Sequence, residues 1–200
     1  AFYGCTGITD ATISNEGNIG ESAFEGSMTS GNAVLKISNK GDIGDKAFYN
    51  CSRLDSIVWN AKNCGDLYNR PFYGTSPKYF LFEDEVEYIP AYICYSMQGL
   101  KSIYIGKKVN SIGENAFYNC SKLKSVTLNS EQLVNKDYSE EGTVPFKDIF
   151  GEQVIEYNVG DDVSRIGKEA FANHLQMESI TIGKNVRSIK KFSKYWFKWN

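Results

Sequence analysis

The side chains with the widest chemical repertoire in this 200-residue chain are one histidine, His174, five cysteines, Cys5, Cys51, Cys64, Cys94 and Cys120, and two acidic turns, Glu83-Asp84-Glu85 and Asp161-Asp162. A histidine moves protons near neutral pH, a thiolate attacks carbon or holds a soft metal, and clustered carboxylates hold calcium. Each chemistry also demands a spacing. The sequence contains no Gly-x-Ser-x-Gly elbow, no phosphate-binding glycine loop and no Cys or His set at metal-ligand intervals. The acidic turns lack the alternating oxygen ligands of a calcium loop and read as solvated turns. No metal, cofactor or catalytic residue is therefore expected.

Register explains these residues better than chemistry does. The stretch Ile112 to Leu128 reads Ile-Gly-Glu-Asn-Ala-Phe-Tyr-Asn-Cys-Ser-Lys-Leu-Lys-Ser-Val-Thr-Leu, and most of the chain is a copy of it. Ile89 to Ile112 and Ile166 to Ile189 are each 23 residues apart, and Ile19 to Ile43 is 24. Ala-Phe pairs recur at 1–2, 23–24, 47–48, 116–117 and 170–171. Cys5, Cys51 and Cys120 share one column with Ser27, Met97 and His174, so His174 is a repeat substitution expected to point inward. Apolar residues at steps of three, four and one predict a short helical turn, and Val126-Thr127-Leu128 alternates as a strand with one buried face.

The pattern Ile112-Gly113, Ala116-Phe117, Cys120, Leu123, Val126, Leu128 and its copies resembles the BspA-type leucine-rich repeats of surface proteins from host-associated bacteria and some protists. The resemblance covers nearly the whole chain. It implies an α/β repeat solenoid, a right-handed leucine-rich-repeat stack with a parallel β-sheet on one face and short helical turns on the other. It further implies a non-catalytic cell-surface or secreted binding module, adhering to host or microbial proteins. A structural spacer and a carbohydrate-binding module are the alternatives.

Composition agrees with a single solenoid over residues 1–200, since a stack lengthens with each repeat without a closed core. The formal net charge of −2 supplies no field for nucleic acid or an anionic membrane. No apolar run approaches the roughly 20 residues of a bilayer span. The chain begins inside a repeat at Ala1-Phe2, as a fragment or mature segment would. Cysteines two repeats apart would lie about 10 Å from each other at a strand spacing of about 4.8 Å, beyond bridging distance, so the column predicts buried thiols.

Two insertions interrupt the register, at 60–70 and 129–143, and Pro71-Phe72 and Pro145-Phe146 follow them at the same place in the repeat. Both should project from one edge. Pro90 stands where other units carry Gly, which argues that this site has negative φ and that its glycines are tolerated more than required. After Ile189 the pattern decays into a degenerate repeat or cap, 189–200. Lys184 to Asn200 carries six basic and no acidic residues, and Lys194, Tyr195, Trp196, Lys198 and Trp199 could instead bind an anionic polymer by charge and stacking.

Alignment predicts eight strands centred at Thr12, Lys36, Val58, Leu81, Tyr104, Thr127, Asn158 and Thr181, whose central side chains form one outward column. Ser56, Tyr79, Ser102 and Ser125 lie in the column beside it. Val58, Leu81 and Tyr104 are consecutive there, with Tyr79 alongside and Thr127 next in line, a mid-sheet patch that a repeat alone does not require. Single exposed apolar residues are common on strands, whereas contiguous ones mark a protein-binding surface. A protein partner on the sheet face is thus the first expectation, a glycan the second. The inward residues carry the stability, so Phe117→Ala should cost on the order of 3–5 kcal/mol in a denaturant melt; a variant that melts like the parent would contradict the buried register.

Overall fold

Strands follow from the alternating Leu-x-x-Ile-x-Ile segments, whose β-branched and aromatic residues suit a half-buried pleat. The computed structural model describes residues 1–62 and 64–190. In chain order the strands are β1 (Asp10–Ile13), β2 (Ala33–Ile37), β3 (Leu54–Trp59), β4 (Tyr79–Phe82), β5 (Tyr88–Ile89), β6 (Ser102–Ile105), β7 (Ser111–Ile112), β8 (Ser125–Leu128), β9 (Glu156–Val159), β10 (Arg165–Ile166), β11 (Ser179–Ile182) and β12 (Ser188–Ile189). Eight of them, β1, β2, β3, β4, β6, β8, β9 and β11, form one parallel sheet in that spatial order. Sequence order equals spatial order, so each coil lies directly on the one before it.

The observed register places Thr12, Lys36, Val58, Leu81, Tyr104, Thr127, Asn158 and Thr181 opposite one another in turn, as the alignment requires. The inward residues are dry: Ile57, Trp59, Phe80, Phe82, Ile105, Val126 and Leu128 are fully buried. The Ile column makes a second, shorter set of parallel pairs, β5 with β7 and β10 with β12, with an isolated bridge between Ile19 and Ile43.

The other side of the stack differs from the helical turns that the 3-4-1 spacing predicts. Each Ala-Phe segment is a run of overlapping β-turns. At the coil that starts with Ile43, the N–H groups of Ala47, Tyr49 and Cys51 donate to the carbonyls of Gly44, Lys46 and Phe48 at 3.2, 3.0 and 3.3 Å. The third residues of the first and last of these turns, Lys46 and Asn50, have φ of +53° and +55°, as a type II turn demands. The intervening N–H groups leave the coil. Those of Ser22, Phe24 and Gly26 donate to the carbonyls of Asp45, Ala47 and Tyr49 at 2.7–2.9 Å, and those of Tyr92, Cys94 and Ser96 to Glu114, Ala116 and Tyr118 at 2.8–3.2 Å. A helix would direct every N–H four residues back along its own chain. Among the described residues α-helix is confined to α1 (Glu131–Val134) and α2 (Phe146–Phe150), both in the region of the second insertion.

Packing follows from this path. Phe2, Phe24, Phe48 and Phe72 stack face to face at 4.9, 5.2 and 5.1 Å between ring centroids. Cys94 takes the next place in that column and ends the stack. Beyond it Phe117 packs edge-on to Phe82 and tilted against Phe150. The Cys column has a reason in hydrogen bonding: Cys51 Sγ donates to Phe24 O and Cys120 Sγ to Cys94 O, both at 3.1 Å, while Ser27 Oγ donates to Phe2 O. A small side chain with one donor satisfies a turn carbonyl of the preceding coil. Burial pushes the Cys51, Cys64 and Cys120 thiols up to about 12 and Cys94 well above its ordinary value, so they stay protonated. Cys5 departs from the expected burial: it lies in the first coil and is exposed.

Three glycines of the Ile-Gly column, Gly44, Gly113 and Gly167, are required, in contrast to the tolerance that Pro90 suggested. Their φ is not positive, as expected, yet a Cβ on Gly44 or Gly113 would come within 2.5 Å of Glu21 N or 2.3 Å of Ala91 N in the preceding coil, and one on Gly167 would overlap Lys136 O. Before Pro90 that neighbour is the first insertion, whose Asp66 carboxylate accepts the Ala91 N–H at 3.0 Å. Nothing lies within 4 Å of a Cβ on Gly20.

Edge carboxylates tie successive coils rather than remaining only solvated. Asp84 Oδ1 accepts the Lys107 N–H at 3.2 Å and Asp161 Oδ1 the Lys184 N–H at 2.9 Å. In the second insertion Asp137 accepts from Lys168 N at 3.0 Å, Lys190 Nζ at 2.9 Å and Arg165 at 2.8 Å, which together hold its carboxyl at about 2. The insertion is thereby anchored to the coils that follow. Gly113→Ala should lower stability by about 1–3 kcal/mol through the backbone clash, whereas Gly20→Ala should be neutral or slightly stabilising; equal melting of the two variants would contradict the close approach of coils.

Candidate partner-binding face

Alternation along β3, β4, β6 and β8 turns Val58, Leu81, Tyr104 and Thr127 to the face opposite the core. At a strand spacing of about 4.8 Å they span roughly 14 Å across the sheet. All four are half-buried by their neighbours, and Tyr79 is 43% exposed beside Leu81. The patch is therefore contiguous but flush with the sheet. Lys36 on one side and Asn158 on the other make its ends polar.

Tyr104 is fixed in place. Its hydroxyl donates to Asp84 Oδ1 at 3.2 Å and accepts from Asn129 Nδ2 at 3.3 Å, and Asn129 Nδ2 also donates to Asp162 at 2.7 Å. Burial raises the pKa of the Tyr104 hydroxyl, which remains neutral. Leu81 and Tyr104, with Asn60 and the turn Glu83-Asp84-Glu85, line a shallow hollow of about 320 Å³. Its acidic rim is largely compensated: Lys62 and Lys108 pair with Glu85 at 3.2 and 2.8 Å, and Lys107 with Asp84 at 3.4 Å. Beside Tyr79, Lys78 pairs with Asp55 at 2.6 Å. Such a surface offers apolar contact, neutral hydrogen-bonding groups and pre-positioned side chains. Among the described residues no group of His, Cys, Asp or Glu side chains there could hold a metal ion.

His174 lies inward, 4% exposed, with its ring edge-on to Tyr157 at 5.5 Å. The tail residues Lys194, Tyr195, Trp196, Lys198 and Trp199 lie outside the described residues.

Sequence reasoning passed over a second aromatic surface, on the turn side. Tyr68, Tyr92, Tyr95 and Tyr118 form a continuous series with centroids 5.2–5.4 Å apart, and the Arg70 guanidinium lies 4.2 Å from the Tyr95 centroid and 5.6 Å from that of Tyr92. Tyr49 and Tyr73 stack at 5.9 Å nearby in the same column. The signal was the residue after each Ala-Phe pair, Tyr in Ala1-Phe2-Tyr3, Ala47-Phe48-Tyr49 and Ala116-Phe117-Tyr118.

No helix of the described residues is long and apolar enough to cross a membrane. A comparison with curated proteins finds no match. Among solved structures, a leucine-rich repeat protein of T. pallidum is similar with a TM-score of 0.50 and 19% identity over 80% of this chain and 71% of its own. A leucine-rich repeat protein of Bacteroides ovatus matches with a TM-score of 0.44 and 19% identity, over 86% of this chain and 36% of its own. The family profile described as BspA type Leucine rich repeat region matches in six copies, over residues 17–140 and 146–198. With that coverage, and with the repeat columns in the register of one parallel solenoid, the chain belongs to the BspA-type leucine-rich repeat family.

Proposed function

We propose that this chain is a non-catalytic module, working at the cell surface or outside the cell, that binds a protein partner through the exposed face of its sheet and mediates adhesion to host or microbial proteins. The observation that carries this reading is the unbroken run Val58, Leu81 and Tyr104 on three hydrogen-bonded strands, with Tyr79 beside it and polar positions at both ends. An apolar centre inside a polar rim is the anatomy of a protein-binding surface. Repeat solenoids in general serve as binding scaffolds, and the family is typically surface-associated, which supports the location. The pre-positioned Tyr104 hydroxyl and the hollow beneath it supply the kind of rigid aromatic anchor at which binding energy concentrates.

The reading is tested by binding of the folded chain to a panel of host and microbial extracellular proteins and glycans, beside a Leu81→Thr/Tyr104→Thr double variant that retains strand propensity and melts normally. The expected result is a protein partner whose affinity falls at least about tenfold in the double variant. Binding only to glycans, binding indifferent to the double variant, or no binding at all would contradict it, the last favouring a spacer.

A further inference from the structure

Regular coils close on one another through turn-side backbone bonds, and both insertions interrupt that closure: after the first, the Phe72 and Gly74 N–H groups have no backbone acceptor among the described residues, and at the second three successive donors are left open. At the preceding junction the N–H groups of Tyr92, Cys94 and Ser96 donate to the carbonyls of Glu114, Ala116 and Tyr118. One coil later the equivalent donors are the N–H groups of Asn115, Phe117 and Asn119, and none of them has a backbone acceptor among the described residues. The cause lies in α2. By register the missing acceptors would be Asp137 O, Pro145 O and Lys147 O, since Tyr138 and Phe146 donate to Lys168 O and Ala170 O as Ser22 and Phe24 donate to Asp45 O and Ala47 O. Pro145 O instead accepts the Asp148 N–H at 2.9 Å, and Lys147 O the Gly151 N–H at 2.8 Å. Helix formation turns these carbonyls along its own axis.

Alongside this open row runs a groove of about 320 Å³, bounded by Gly113, Glu114, Asn115, Ala116 and Tyr118 of the turn and by the inserted segment. Its walls include Ile112, Tyr118, Tyr138, Val144 and Ile149. Tyr118 is 57% and Val144 49% exposed. One face of the Tyr118 ring stacks on Tyr95, at the end of the turn-side tyrosine series.

We propose that this groove captures an extended peptide segment of a partner protein, which supplies main-chain carbonyls at alternate residues to the Asn115, Phe117 and Asn119 amides and lays an apolar side chain against Tyr118, Val144 and Ile149. The regular junctions show what fills such a row: a backbone running parallel to the turn with acceptors at alternate positions. Adding an extended segment to an open row of backbone donors is an established mode of peptide recognition, with affinity from the main chain and selectivity from the flanking side chains. The groove lies on the turn side and does not depend on the sheet face for its role.

The test uses the full chain, ¹⁵N-labelled, and a random decapeptide display library selected on it with counter-selection against Val144→Arg, whose long side chain fills the groove from an exposed position. Enriched peptides should bind the parent at least about tenfold more tightly than Val144→Arg, bind the Leu81→Thr/Tyr104→Thr variant unchanged, and slow hydrogen exchange at the Asn115 and Phe117 amides. Failure to enrich any peptide over the counter-selection, or binding that leaves those amides exchanging as in the free chain, would overturn the proposal. Loss of binding in the sheet variant with the amides unaffected would place the peptide on the sheet face and overturn it equally.

Discussion

Backbone hydrogen bonding between successive coils is the constraint on which the rest of this molecule depends. The sheet supplies one ladder, and the left-handed turns supply a second on the opposite side. With both in place, most main-chain groups of a coil are satisfied by its own turns or by the coils above and below, so the core can be filled by Ile, Phe, Leu and Cys without buried unpaired amides. The price of that arrangement is conformational: one residue in each turn pair must accept positive φ. Gly4, Gly26, Gly74, Asn50, Asn119 and Asn173 occupy that position before the Cys column, and glycine and asparagine tolerate it best. The close approach of backbones then excludes a Cβ at Gly44, Gly113 and Gly167.

Much of the sheet was legible because strand register has a strict period. Thr12 through Thr181 align to the residue, and the patch of Val58, Leu81 and Tyr104 follows from counting alone. The turn side was not legible in the same way. Its apolar spacing of three, four and one imitates a helical face, and only the Asn or Gly one residue before each Cys distinguishes a type II turn from a helix. Pro90 misled about the glycine column, since it faces an insertion rather than a regular coil. The second insertion keeps more of the repeat than its sequence suggested: Val134 occupies the Ile column, with Gly167 N donating to its carbonyl at 2.9 Å as Gly113 N donates to Ile89 O at 2.8 Å. The loss of helical pattern elsewhere and the gain of α1 and α2 there are both consequences of where carbonyls find donors.

The two proposed binding surfaces lie on different sides of the same scaffold. The sheet face is a product of regularity, since a column of outward side chains exists wherever strands stack, and its apolar centre is what departs from a bare spacer. The groove is a product of irregularity, since it lies where α2 withdraws acceptors from the turn ladder. His174 and the buried cysteines belong to neither. They serve packing in the core, His174 as a buried filler against Tyr157 and the Cys51 and Cys120 thiols as donors to turn carbonyls.

The most direct test of the two-ladder architecture compares Asn119→Gly with Asn119→Ala by denaturant melting. Both variants lose the same side-chain bond to Ser96. At a φ of +59° the account expects the Gly variant to be more stable by about 1 kcal/mol, because alanine meets the left-handed penalty. A helical turn would invert the order by a similar amount, since glycine is the poorer helix former. An Ala variant more stable than the Gly variant would contradict the turn ladder.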